Sequence, residues 1–260
     1  MNTISGYKRI AGNLDRSLAT VAGRPDVARE SAYYLAHIRD VKSADEFIKN
    51  DRLFTFAMKA FGLKDMAYGK AFMRKVLSEG IDGTSSFALQ LADHRFREFA
   101  EAFNFARYGA TATAFTRAQQ GAVDRFVRVE LETEAGSTDE GVRLALYFQR
   151  KAPEVTSIYG LMGDAALYKV VQTALGLPLA LSNVDIDKQA AIIGAKIDIL
   201  DLKDGAALDK FISRFAARWQ AAGGGAAIVV PQIGLSQSAL MTLPNSIMLT
   251  LQSLRRGGRN

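Results

Sequence analysis

Asp198, Asp201 and Asp204 recur at intervals of three within KIDILDLKD, and three carboxylates in such a row could hold a divalent cation or divide acid–base work. A continuous helix would bring them to one side. A calcium loop, however, supplies oxygens at every second position, and no histidine or further acid follows close by. The favoured reading is a solvated acidic face that runs into a turn at Gly205. Asp93 beside His94 could orient a general base, but helix neighbours point about 100° apart, so adjacency brings no contact. His37 and His94 are the only histidines, and neither has a partner at chelating spacing. The single Trp219, near Phe215, is expected to anchor a helix in the core.

The remaining chemistry is excluded more simply. Cysteine is absent, which removes disulfides, thiolate metal sites and a cysteine nucleophile together. There is no glycine-rich phosphate loop and no serine in a G-x-S-x-G elbow, and Gly160-Leu-Met-Gly163 lacks the preceding strand that phosphate binding needs. Residue chemistry therefore predicts no catalytic residue, no cofactor and no metal: a protein that is not an enzyme.

The elements that carry these residues read as helices. Tyr7, Ile10, Leu14, Leu18 and Val21 follow the period of one apolar helix face, which predicts an amphipathic helix within 1–24 that ends near Gly23. Pro25 suits the first turn of the next helix. Ser43-Ala-Asp-Glu46 and Ser137-Thr-Asp-Glu140 read as capping boxes. Gly62, Gly80 and Gly109 each follow a periodic segment, as helix-closing glycines do. A long segment is expected to end at Gly136. Strand-like alternation is nearly missing up to residue 220, so the chain is expected to be all-α, with a multi-helix body over 25–220.

The body also repeats itself. Ala60-Phe61-Gly62-Leu63 returns as Ala174-Leu175-Gly176-Leu177 after 114 residues. Glu30–Arg39 lies over Glu140–Gln149 at a shift of 110, Asp51 and Asp164 both open helices, and Phe99 and Phe103 fall on Phe211 and Phe215 at 112. Residues 27–108 and 137–220 are thus expected to be two related helical repeats.

The formal charge is +6, of which residues 1–30 hold +2 and residues 221–260 hold +3. The rest of the chain has no continuous basic stripe, so nucleic acid is not favoured as a partner. Nor is there a membrane span, and no apolar run follows Lys8 and Arg9 to make a secretory signal peptide. Residues 221–260 contain six glycines and no acid, yet keep Ile228, Val229, Val230, Leu240, Met241, Ile247, Met248, Leu249 and Leu251. A linker would be polar, so this apolar tail is expected to dock. Ordering about 30 residues costs more than burying six aliphatics returns, at roughly 1–2 against 1.5 kcal/mol each. The expected dock is therefore a larger surface: the face of Tyr7, Ile10, Leu14 and Val21, or another subunit.

The strings RLFTFAMKAFGLKDMAYGKAFMRKVLSEG, LADHRFREFAEAFNF, EGVRLALYFQRKAPEV and ALYKVVQTALGLPLALSNVDIDKQAAIIGAKIDILDL resemble an alphaproteobacterial family known as domain of unknown function 1217. The resemblance spans roughly residues 5–220. It implies a largely helical fold and genes that often lie among those for the flagellum, and it carries no catalytic or ligand residue over to this chain. The expectation is a non-enzymatic, flagellum-associated protein that works through protein–protein contacts, in the flagellum or the cytoplasm. An export chaperone or motility regulator is the alternative, and an enzyme of unrecognised type the remote one.

Overall fold

Asn2 accepts the Ser5 backbone N–H at 2.8 Å and so starts α1 (Thr3–Ala11), supplying an acceptor that the first turn lacks. The structure, a computed structural model, describes residues 2–224. Gly12 and Asn13 then break the helix expected over 1–24, because Asn13 leaves helical geometry at φ −137° and ψ 46°. Two helices result, the second being α2 (Leu14–Ala22), and Pro25 opens α3 (Pro25–His37) at its first turn as expected. The chain continues through α4 (Ala44–Lys49), α5 (Asp51–Ala60), α6 (Lys70–Glu79), α7 (Phe87–Gln90), α8 (His94–Ala102) and α9 (Phe105–Tyr108). Next come α10 (Gln120–Thr138), α11 (Glu140–Lys151), α12 (Ile158–Gly163), α13 (Ala165–Leu175), α14 (Ile186–Gly194) and α15 (Gly205–Ala221). No strand occurs among the described residues, and the fold is all-α.

Two boundaries differ from the sequence reading. Gly136 does not end α10, which runs on to Thr138, and the cap of α11 is Asp139 rather than Ser137. Asp139 accepts the Gly141 N–H at 2.8 Å, whereas the Ser137 hydroxyl donates back to the Glu134 carbonyl at 2.7 Å. A carboxylate at the positive end of a helix outcompetes a serine already bonded to the preceding turn. Ser43, in contrast, caps α4 through the Glu46 N–H, and Glu46 reaches back to the Lys42 N–H at 2.8 Å.

The 19-residue α10 is the spine, lying against α5, α11, α2 and α3. On one side an aromatic cluster fills the core: Phe47 is 4.7 Å from Phe103 and Phe61 is 5.4 Å from Phe99, centroid to centroid. On the other side Phe148 stacks on Phe211 at 5.4 Å and Phe215 leans on Trp219 at 5.6 Å. Trp219 is buried, as its sequence context predicts.

The repeat is visible bond by bond, at one shift of 114. Ser43 and Ser157 cap α4 and α12, and Asn50 and Asp164 cap α5 and α13. Val41 N–H bonds to the Ile38 carbonyl at 3.3 Å, and Val155 repeats this with Ala152 at 3.2 Å. Gly62 and Gly176 end the helices at φ 70° and 65°. The correct partner of Asp164 is therefore Asn50, not Asp51. The shift of 110 proposed for the preceding helix is likewise replaced by 114, which sets Tyr34 opposite Phe148, both fully buried.

Beyond the glycines the two units diverge. The order helix, short helix, helix persists as α6–α7–α8 and α14, the 3-10 turn Leu200–Lys203, and α15. Phe99 and Phe103 pack on rings of α4 and α5, whereas Phe211 and Phe215 pack on α11 and on their own helix. α15 has 17 residues against nine in α8, and it lies on α11, α13 and α1 instead of on α14.

Candidate functional site

The acidic triplet does not assemble. Helix α14 stops at Gly194, and each aspartate then serves its own turn: Asp198 accepts the Leu200 N–H at 2.9 Å and Asp204 caps α15 through the Ala207 N–H at 2.8 Å. Asp201 is exposed in the 3-10 turn. Among the described residues no group of three or more His, Cys, Asp or Glu side chains could hold a metal. Asp93 turns away from His94 and grips Arg95 instead, at 2.7 Å.

The faces proposed for partner contact fare differently. Tyr7, Ile10 and Val21 are 3, 9 and 3% exposed, and Leu14 is half-buried against the same core. α1 packs on α11 and α15, α2 packs on α10, and the Tyr7 hydroxyl donates to Asp209 at 2.9 Å. This face is thus spent inside the body and is no free dock. Its amphipathic period reports burial in cis, which is what such a period means in a packed fold. The tail residues Ile228, Val229, Val230, Leu240, Met241, Ile247, Leu249 and Leu251 lie outside the described residues.

A cleft of about 360 Å³ opens where the two units meet, between Phe61 and Gly62 at the end of α5 and Asp164 and Ala165 at the start of α13. Its walls carry Arg95, Arg125, Arg143, Arg150, Lys151 and Lys169. Such a lining looks made for an anion, but its charges are already partnered. Arg125 reaches Glu98 at 3.0 Å, Arg150 reaches Glu132 at 2.9 Å, Lys151 reaches Glu154 at 2.9 Å, and Arg143 pairs with Glu140. Lys169 instead sits 5.0 Å over the Trp219 ring. The buried Glu132 also receives Arg128 at 3.0 Å, so one carboxylate ties α10 to α11.

Tyr147, on the same cleft, donates its hydroxyl to Asp164. Burial first, and then the Asp164 carboxylate, push the phenol well above its ordinary range. A phenol held protonated in this way is no base at neutral pH. Lys151 of α11 also reaches Glu98 of α8 at 2.5 Å, a charge-assisted bond between the two units at the cleft.

Of the nine exposed large apolar side chains among the described residues, Leu35, Tyr68, Leu89 and Phe115 lie apart in the first unit and the long connection, and five lie in the second unit. Tyr159, Val184, Ile186, Ile192 and Leu200 are 52, 40, 56, 38 and 68% exposed. Tyr159 donates to Asp187 at 2.8 Å, which holds α12 beside the start of α14. Exposed Asp185, Asp187, Asp198 and Asp201 alternate along this stretch with exposed Lys188, Lys196 and Lys203, so its charges are of both signs. The sequence carried a signal for it: IDKQAAIIG places isoleucines on more than one side of a short helix, so one side must remain uncovered.

The first unit shows what covering looks like. Aligning the starts of α6 and α14 shifts the register to 116, which sets buried Met73 and Leu77 opposite buried Gln189 and Ile193. Val76, at 0%, then stands opposite the exposed Ile192. α6 is flanked by α4, α7, α8 and α9, whereas the principal neighbour of α14 among the described residues is α12, the counterpart of α4. No described helix is long and apolar enough to cross a membrane.

The family model described as "Protein of unknown function (DUF1217)" matches residues 60–208. That range takes in the cleft's floor, most of both units and the five exposed side chains of the second unit. No curated protein matches the chain. A solved structure does: the X-ray crystal structure of protein AGR_C_984 from Agrobacterium tumefaciens shares 44% sequence identity with a TM-score of 0.79. The match covers 84% of this chain and 93% of that one. Because the family model spans more than half of the sequence, this chain belongs to the DUF1217 family.

Proposed function

We propose that the protein is a non-enzymatic, flagellum-associated component that acts through protein–protein contacts. The observation that carries this reading is the exposure of Tyr159, Val184, Ile186, Ile192 and Leu200, five of the nine large apolar side chains exposed among the described residues. Exposed apolar side chains grouped with charges around them are what a docking surface needs. The paired charges of the cleft support the non-enzymatic part, since most of its cations are already engaged by carboxylates of this chain. The flagellar part rests on the gene neighbourhood associated with the family. A cytoplasmic export chaperone or motility regulator would use the same side chains.

Deleting the gene and scoring swimming tests the reading. Loss of motility is expected, restored by the wild-type gene and not by Ile186→Asp/Leu200→Asp. Unimpaired swimming of the deletion strain refutes the flagellar role. Recovery of the protein with isolated flagella, as against the cytoplasmic fraction, separates a structural part from a helper.

A further inference from the structure

We propose that Arg117, with Phe115 beside it, is a docking point for an acidic segment of a protein partner. A carboxylate of that segment pairs with the guanidinium, and an apolar neighbour of the carboxylate rests on the ring. The inference rests on the contact reading above in taking a protein as the partner, but it uses a different surface.

Arg117 is an exception among the arginines. Arg24, Arg95, Arg125, Arg128, Arg143 and Arg150 are the other arginines buried or half-buried among the described residues, and each meets a carboxylate of this chain. Arg117 is half-buried and meets none among the described residues. Its Nε is buried without a hydrogen-bond partner there, while its outer nitrogens stay accessible. A cation drawn partly out of water without a counter-charge costs free energy, which a carboxylate arriving from outside returns. Two rings hold the side chain meanwhile: the guanidinium carbon is 4.9 Å from the Tyr108 centroid and 4.5 Å from that of Phe115, and the rings are 4.7 Å apart.

The backbone beneath them is tied down. Gly109 closes α9 at φ 49°, and two 3-10 turns follow, Gly109–Ala114 and Thr116–Ala118, with Phe115 extended between them. Tyr34 donates to the Ala118 carbonyl at 2.7 Å, the Gln119 amide donates to the Thr113 carbonyl at 2.8 Å, and the Thr113 hydroxyl donates to the Val41 carbonyl at 3.0 Å. Ring and fork are thus presented preformed, which lowers the ordering cost of binding. Phe115 is 37% exposed, and an accessible arginine among aromatic rings has the composition of an interface hot spot. The planar fork selects a carboxylate as its partner. A nucleic acid fits less well. Base stacking needs an open ring face, but both rings already carry a guanidinium, and neighbouring Arg107, 5.4 Å over Tyr108, is paired with Asp82 at 3.0 Å.

The test uses the full chain. A display library of random dodecapeptides is selected on the wild type, and each enriched peptide is also made with glutamine in place of its acid. Enriched peptides are expected to carry Asp or Glu beside an apolar residue. Arg117→Gln should weaken them at least tenfold and leave the glutamine peptides unchanged, the coupling that a direct pair gives and a structural role does not. Phe115→Ser should weaken them at least threefold, and Ile186→Asp/Leu200→Asp should have no effect. Circular dichroism checks that each variant is folded; if Arg117→Gln is not, Arg117→Lys replaces it, with at least a threefold loss expected. No enriched peptide, enriched peptides without an acid, or binding indifferent to Arg117 overturns the proposal, as does tighter, Arg117-dependent binding of an oligothymidylate. Unimpaired swimming of the deletion strain alongside Arg117-dependent peptides removes the flagellar reading and keeps the docking point. Lost motility alongside Arg117-independent binding does the reverse.

Discussion

Gly62 and Gly176 stand 114 residues apart and close their helices alike: the following leucine N–H bonds back five residues, Leu63 to Met58 at 2.7 Å and Leu177 to Gln172 at 2.8 Å. That backward bond needs a left-handed residue before it, which only glycine adopts cheaply. Alanine at either position is expected to destabilise by about 1–2 kcal/mol, or a fall of roughly 2–8 °C in Tm for a domain of this size. The larger drop belongs to Gly176→Ala, since a Cβ there collides with the Arg218 guanidinium, while at Gly62 the nearest atom is 3.6 Å away. Equal melting of both variants and the wild type would remove the structural basis for the repeat.

Glu132 gives a second prediction. Its carboxylate accepts from Arg128 and from Arg150, and it is 5% exposed as a side chain. Glu132→Ala leaves two guanidinium groups facing each other without their counter-charge, so a loss of about 3–5 kcal/mol is expected. Urea unfolding should show the midpoint fall with the slope unchanged. A loss under about 1 kcal/mol would mean that solvent already reaches the pair.

At Gly141 the sign of the effect is diagnostic. An exposed helix position would gain from Gly→Ala by about 1 kcal/mol. Here a Cβ would run into the Trp219 ring and lie 2.7 Å from Thr3 Cγ2. Gly141→Ala should therefore lose about 1–3 kcal/mol by overpacking, with a change in the fluorescence of the lone tryptophan. Stabilisation would show that Trp219 is not seated against α11.

The tyrosines predict the alkaline limit of the fold. Tyr7, Tyr34 and Tyr147 all have phenols raised above the ordinary 10.0, chiefly by burial. Above pH 10 the unfolded chain loses these protons and the folded chain keeps them, so stability is intact below pH 10 and falls as pH rises beyond it. Absorbance at the phenolate band should show these three groups titrating together with loss of helix. Smooth titration of all eight tyrosines near pH 10 in a folded protein would contradict their burial.

The all-α class, the Ser43 cap, Pro25 at a first turn and the closing glycines were legible because each depends on a few neighbouring residues: an unpaired N–H, a fixed φ, a position that excludes Cβ. The existence of the repeat was legible for the same reason, through its shared helix ends. Its register was not. Pattern matching admitted shifts of 110 to 114, and only the hydrogen bonds of Val41 and Val155 and the caps Asn50 and Asp164 selected 114. Partner choice was still less legible. The period of Tyr7, Ile10 and Val21 records an apolar face but not what covers it, and packing put α11, α15 and α10 there. Conversely, Ile186 and Ile192 stay exposed because α15 packs on α11, α13 and α1 instead of on α14. Helix ends follow from local chemistry, whereas which apolar face stays open depends on where every other helix has gone.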